Sequence, residues 1–305
     1  MSAAEAHPSA PATMSDLRRI VRYGEESERV AVASSLATPP ELLFFLGADR
    51  SPAVRCTVAA NRATPPQADR ILARDEDPAV REVLARRIAA LAPGLGPDVT
   101  DRLRRMAWET LCLLAEDAVA SVRAAVAETL ADMPDAPRDL VLRLARDIAA
   151  PVAEPVIRLS PLLTDRDLLA LIATPPAEFT RRAVAGRPCL SPMVCEALCR
   201  TEDDSAIATL LANRSAMLPE ASLERLAACA VARLKQASTT SNRPLLSSPT
   251  MQSLAGLVVD EWARQLALRA DLPPPSAARL REALANAAVR AASSRCVEDT
   301  VANRK

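Results

Sequence analysis

Aromatic side chains, glycine, lysine and histidine are all scarce in this 305-residue chain, and each shortage closes off a class of function. His7 is the single histidine, which removes His-based catalytic triads and His metal sites. Six Gly leave no room for a Gly-rich phosphate loop or a dinucleotide-binding turn. Lysine occurs only at Lys235 and Lys305, and the 38 basic and 38 acidic residues cancel. No net field therefore draws in nucleic acid or an acidic membrane. No apolar run approaches the roughly 18 residues a membrane span needs. The opening "MSAAEAHPSAPATMSDLRRI" lacks the basic start and apolar stretch of a secretory signal. Seven Cys, odd in number and irregular in spacing, read as reduced thiols of a cytoplasmic protein.

What the chain does contain is 25 Pro and a packing vocabulary of Ala, Leu and Val, which suits short, closely spaced helices. The aromatic residues are only Tyr23, Phe44, Phe45, Trp108, Phe179 and Trp262. The phrase "ATPPELLFFLGADRSPAVR" from Ala37 is followed 26 residues later by "ATPPQADRILARDEDPAVR" from Ala63. Twelve identities fall at that offset, from Val32 and Val58 through Asp49 and Asp75 to Arg55 and Arg81. Such a period decides the fold before any local propensity does.

Each unit reads helix, turn, helix, turn. Ser51-Pro52 and Asp77-Pro78 place a capping side chain before a Pro at the first helical position. Val54 and Val58, or Val80, Leu84 and Ile88, share a helix face, and Thr-Pro-Pro then ends the helix. Leu42, Leu43 and Leu46 point the next helix inward. Two short helices cannot bury an apolar stripe alone, but stacked copies can. The scheme recurs with Val122, Val126 and Leu130, then Leu140, Val141 and Leu144, and in a fifth unit broken up by Pro151, Pro155 and Pro161. "VAGRPCLSP" and "LLANRSAMLP" echo "VAANRATPP" around Asn61.

The expected fold is all-α: a HEAT-like α-solenoid of about seven short helical pairs with a C-terminal helical cap. Its expected parts are a disordered leader over 1–13, the solenoid over 14–235, a linker loop over 236–250, a helical hairpin cap over 251–296 and a disordered tail over 297–305. The run "DAPRDLVLRLARDIAAPVAEPVIRLSPLLTDRDLLALIA", with "RRAVAGRPCLSP" and "LLANRSAMLPEASLERL", resembles a bacterial family typical of alphaproteobacteria, domain of unknown function 2336. The resemblance covers roughly Pro78 to Ala230, extends more loosely to the C-terminal helices, and implies a HEAT-like fold and a bacterial host, with no activity to carry over. The earlier units also resemble leucine-rich-variant repeats.

Four constellations are candidates for function. Asp49 and Arg55, Asp75 and Arg81, and Asp117 and Arg123 repeat a D-x5-R spacing. They form either an Arg array for an acidic or phosphorylated partner or, as preferred here, a structural ladder tying each turn to its neighbours. HEAT-type repeats resemble this in carrying an Asp and an Arg at such places. The ladder stops where Ala153 and Ala208 take the Arg position. Cys189, Cys195, Cys199 and Cys229 fall in adjacent units, but without a C-x2-C pair or a nearby His they read as core packing and not as a zinc or iron–sulfur site. Arg81, Arg86, Arg87, Arg102, Arg104 and Arg105, followed by Trp108, could serve a nucleic-acid-binding protein or a DNA-repair glycosylase of the HEAT-like kind. A solvated helix face explains them more simply. The fourth is the outward face of each pair's second helix, with Glu41, Phe45, Gln67 and Arg70 as partner-binding positions on the expected concave side. No catalytic set, cofactor or metal site is legible. The expectation is a non-enzymatic scaffold or adaptor for an unidentified protein partner.

Overall fold

The computed structural model describes residues 13–91, 101–201, 203–240 and 263–286, all helix and turn with no strand among them. Most of the leader, residues 241–250 of the expected linker and the tail lie outside the described residues. The chain divides within α10 (Ala150–Leu159) into two compact units.

The first unit begins with α1 (Met14–Tyr23), α2 (Glu26–Ser34), α3 (Pro40–Leu46), α4 (Pro52–Ala60) and α5 (Pro66–Leu72). It continues through α6 (Pro78–Leu91), α7 (Asp101–Leu114), α8 (Ala120–Leu130) and α9 (Arg138–Ala145). Even-numbered helices pack in succession, α2 on α4, α4 on α6 and α6 on α8, while α1, α3, α5 and α7 form a second row. That alternation is what a stacked helical repeat requires. The second unit holds α11 (Asp165–Ala173), α12 (Phe179–Ala185), α13 (Pro192–Cys199), α14 (Asp204–Ala212) and α15 (Glu220–Thr240). There α12 packs on α14, α11 on α13 and α13 on α15. In the first unit α2 to α9 make four consecutive pairs, α2 with α3, α4 with α5, α6 with α7 and α8 with α9, and α1 is an additional layer in front.

Local chemistry explains the short helices. Pro40, Pro52 and Pro66 open α3, α4 and α5, where a missing N–H costs nothing. Thr13 with Asp16 and Thr164 with Asp167 form capping boxes for α1 and α11. The Thr of each Thr-Pro-Pro closes the helix before it: Thr38 Oγ1 donates to the Val32 carbonyl at 2.6 Å and Thr64 Oγ1 to the Val58 carbonyl at 2.7 Å. Leu43, Leu46, Leu72, Leu84, Leu111 and Leu130 fill the first unit's core, fully buried. Each contributes about 1.5–3 kcal/mol by leaving water.

Three expectations need correction. Ser51 does not cap α4 with its side chain; it is buried, and its N–H is taken by Asp49 Oδ1 at 2.8 Å. Pro155 does not break its unit, because α10 runs through it with Pro151 at its start. Residues 236–240 of the expected linker are helical, since α15 continues to Thr240. Farther along, the described C-terminal helices are 263–267 and 274–286, separated by a turn in which Arg269 donates to the Leu211 carbonyl at 3.3 Å and pairs with Asp271.

Candidate protein-binding surface

Arginine is used in two distinct ways in the first unit, and separating them isolates the surface. In the first use the guanidinium faces a carboxylate of the next layer. Arg55 does not pair with Asp49, its neighbour in sequence. Its Nε and Nη2 reach Asp75 at 2.6 and 2.9 Å, while Nη1 turns back to the Asp49 carbonyl at 2.9 Å. Arg81 repeats this on Asp117 at 2.5 and 3.0 Å with Nη1 on the Asp75 carbonyl at 2.6 Å. Arg123 repeats it on Asp147 at 2.6 and 3.0 Å. The structure also adds a rung at the front, Arg29 on Asp49 at 2.7 and 3.1 Å. The ladder is thus Arg29–Asp49, Arg55–Asp75, Arg81–Asp117 and Arg123–Asp147, each Arg handed forward one layer.

Each carboxylate also accepts the backbone N–H two residues on, for example Val119 N–H on Asp117 at 2.8 Å. Burial opposes the charge at Asp49, Asp117 and Asp147, but the Arg hydrogen bonds, that N–H and the Arg charge together hold all three carboxyls below the ordinary range. At the ladder's ends the slots are filled by uncharged residues: exposed Tyr23 stands 26 residues before Asp49, and buried Ala153 takes the place after Asp147.

A second polar column lies at the Thr-Pro-Pro turns. Asn61 Nδ2 donates to the Ala33 and Ser35 carbonyls at 2.7 and 2.9 Å. In the second unit Asn213 does the same to Ala185 and Arg187 at 2.9 and 2.7 Å. Arg87 stands 26 residues after Asn61 and donates to the Asn61 carbonyl at 2.7 Å. Its other end meets Asp69, which replaces the core Leu43 of the layer before. Both are buried, and Arg87 Nε has no partner. Burial pushes the Asp69 carboxyl up, and the Arg87 charge and hydrogen bond only partly offset it.

This packing takes up three of the six arginines considered for nucleic acid. Arg81 is a ladder rung, Arg87 is buried, and Arg86 pairs with Glu82 at 2.8 Å. Trp108 is only half-exposed. The cysteines divide: Cys195 and Cys199 are buried on α13, and Cys189 and Cys229 are exposed. Burial pushes the Cys195 thiol up to about 11 and the Cys199 thiol up to about 12, so neither is a thiolate at neutral pH. Among the described residues no group of three or more His, Cys, Asp or Glu is placed to hold a metal ion.

What remains is the outward face of the odd-numbered row. On α3 the residues Leu42, Leu43 and Leu46 turn inward, leaving Glu41, Phe44 and Phe45 outside. On α5 the same positions are Gln67, Arg70 and Ile71. All four residues singled out in the sequence, Glu41, Phe45, Gln67 and Arg70, are exposed and stand on neighbouring helices of one row. Phe45 and Ile71 are repeat equivalents and remain 61% and 41% exposed, with Phe44 at 43%. Large apolar side chains held in water at matching positions of successive layers form a ready contact face.

The described residues define an all-α fold, consistent with a helical repeat. Residues 152–305 match the family described as "Uncharacterised protein conserved in bacteria (DUF2336)", and the chain belongs to that family. The matched span begins later than Pro78 and takes in the C-terminal residues, so the 26-residue repeats lie ahead of it. No curated protein and no solved structure matches the chain. No helix of the described residues is long and apolar enough to cross a membrane.

Proposed function

We propose that this protein is a non-catalytic scaffold or adaptor that recognises another protein through the outward face of α3 and α5. The observation that carries the reading is the exposed apolar pair Phe45 and Ile71, placed at the same position of adjacent layers and flanked by Glu41, Gln67 and Arg70. Apolar centres with polar rims are how protein interfaces are built. The reading includes a cytoplasmic site of action, an alphaproteobacterial host and kinship of the first units to leucine-rich-variant repeats. Nucleic-acid binding is disfavoured because three of the six arginines that would serve it, Arg81, Arg86 and Arg87, are engaged within the fold.

The test replaces Phe45 with a photo-crosslinking phenylalanine in the native bacterium. Protein adducts that disappear when Phe44→Glu and Ile71→Glu are added beside the crosslinker, in a chain with an unchanged unfolding midpoint, are the expected result. Adducts only to nucleic acid, or none, would refute the proposal.

A further inference from the structure

The second use of arginine gives that face a chemical preference. Helix α1 is a layer of the same row, packed on α3 as α3 packs on α5. Stepping back 26 residues from α3 places Arg18 where Phe44 stands, Arg19 where Phe45 stands and Arg22 where Ala48 stands. Stepping forward places Arg70 and Arg74 at the Phe44 and Ala48 positions. The burial pattern obeys the register: Val21 is buried at the site equivalent to Gly47, and Arg18, Arg19 and Arg22 are all exposed. The face is therefore an apolar ridge, Phe44 and Phe45 continuing to Ile71, with a column of arginines on either side.

These guanidinia differ from the ladder. Arg18, Arg19, Arg70 and Arg74 make no hydrogen bond or ion pair among the described residues, and Arg22 only stacks on Tyr23 at 5.4 Å. Against these five cations α1, α3 and α5 carry two acids outside the core, Glu41 and Asp16, and the charge of Arg19 acts on Asp16. In a chain with no net charge, this is a local excess of positive charge around exposed phenylalanines. Adjacent helices pack about 8–10 Å apart, so the two arginine columns stand roughly 16–20 Å from each other. A partner helix about 10–12 Å across, lying over α3, fits between them.

We propose, building on the recognition role above, that the α1–α3–α5 face binds an acidic amphipathic helix. The partner's apolar stripe would sit on Phe44, Phe45 and Ile71, and carboxylates on both flanks would meet the two arginine columns in bidentate pairs. Glu41 within the ridge, and phenylalanines where a phosphate backbone would run, favour a peptide over nucleic acid.

Fluorescence anisotropy on the full chain tests this with three synthetic helical peptides: a Leu/Phe stripe flanked by Glu, the same stripe flanked by Lys, and the Glu peptide with its stripe changed to Ala. Only the first should bind measurably. Its affinity should fall about tenfold or more with Phe44→Ala/Phe45→Ala, and on moving from low to high salt. Reversal of Arg18, Arg22, Arg70 and Arg74 to Glu should transfer preference to the Lys-flanked peptide, with the urea midpoint unchanged because all four are exposed. Equal binding of the Glu and Lys peptides, tighter binding of duplex DNA or phosphatidylglycerol vesicles, or no peptide binding overturns the proposal. If the peptides fail while the Phe45 crosslink still captures protein, only the acidic-helix assignment falls. If both fail, the recognition role falls with it.

Discussion

Removing one ladder arginine should unlock two layers at once, and Arg81→Ala is the sharpest case. Arg81 makes two hydrogen bonds to Asp117, at 2.5 and 3.0 Å, and one to the Asp75 carbonyl at 2.6 Å. The two side chains are 13% and 9% exposed. Breaking a fully buried pair costs about 3–5 kcal/mol, and an exposed pair contributes under about 1 kcal/mol. The residual solvent access here places the expected loss at about 2–3 kcal/mol. Asp117 would keep the Val119 N–H and the neighbouring charge of Arg123, which prevents a larger effect. The assay is urea unfolding followed by Trp108 fluorescence in a Trp262→Phe background, so that α7 reports on the first unit alone. With a slope of about 2–3 kcal/mol per M, the midpoint should fall by about 1 M. The acid dependence supplies an independent check. Asp117 has its folded-state carboxyl held below the unfolded value, so its contribution is present above about pH 4 and lost as pH falls through the folded value. The penalty of Arg81→Ala should therefore shrink below about pH 4. A loss under about 0.5 kcal/mol at pH 7, or a penalty independent of pH, would refute the ladder as a structural device.

Asn61→Ala removes two carbonyl partners and the bond its Oδ1 accepts from the Ala63 N–H, and should cost about 2–3 kcal/mol in the same unfolding assay. Restoring the repeat's own residues at the buried ion pair, Asp69→Leu with Arg87→Asn, should be neutral or stabilising by about 1–3 kcal/mol, whereas Asp69→Leu alone strands Arg87 and should cost about 3 kcal/mol. The raised Asp69 carboxyl means its contribution is full below about pH 4 and lost as pH rises through the folded value. The double variant should therefore gain more over the natural chain at pH 7 than at pH 4, as read by urea midpoints. Thiol labelling at pH 7.5 should modify the exposed Cys189 and Cys229 quickly, with Cys195 and Cys199 protected until the chain unfolds; early labelling of the latter pair would contradict their burial.

The duplicated phrase made the layers, the inward Leu42, Leu43 and Leu46, and the exposure of Glu41, Phe45, Gln67 and Arg70 readable from the chain alone. The direction of the ladder was not, because Asp49 and Arg55 share a turn in sequence while the Arg side chain spans to the next one. Sequence proximity shows only the carbonyl that Nη1 meets. Arg29 escaped as a rung because the phrase match starts at Val32, although Arg29 sits 26 residues before Arg55. The Asp69–Arg87 pair had a signal too: an acid in a slot occupied by Leu43 must find a counter-ion.

Each rung of the ladder joins positions only 20, 20, 36 and 24 residues apart along the chain. Contacts this local close small loops, so folding of the first unit can begin at any layer and spread to its neighbours, a path open to chains of low contact order.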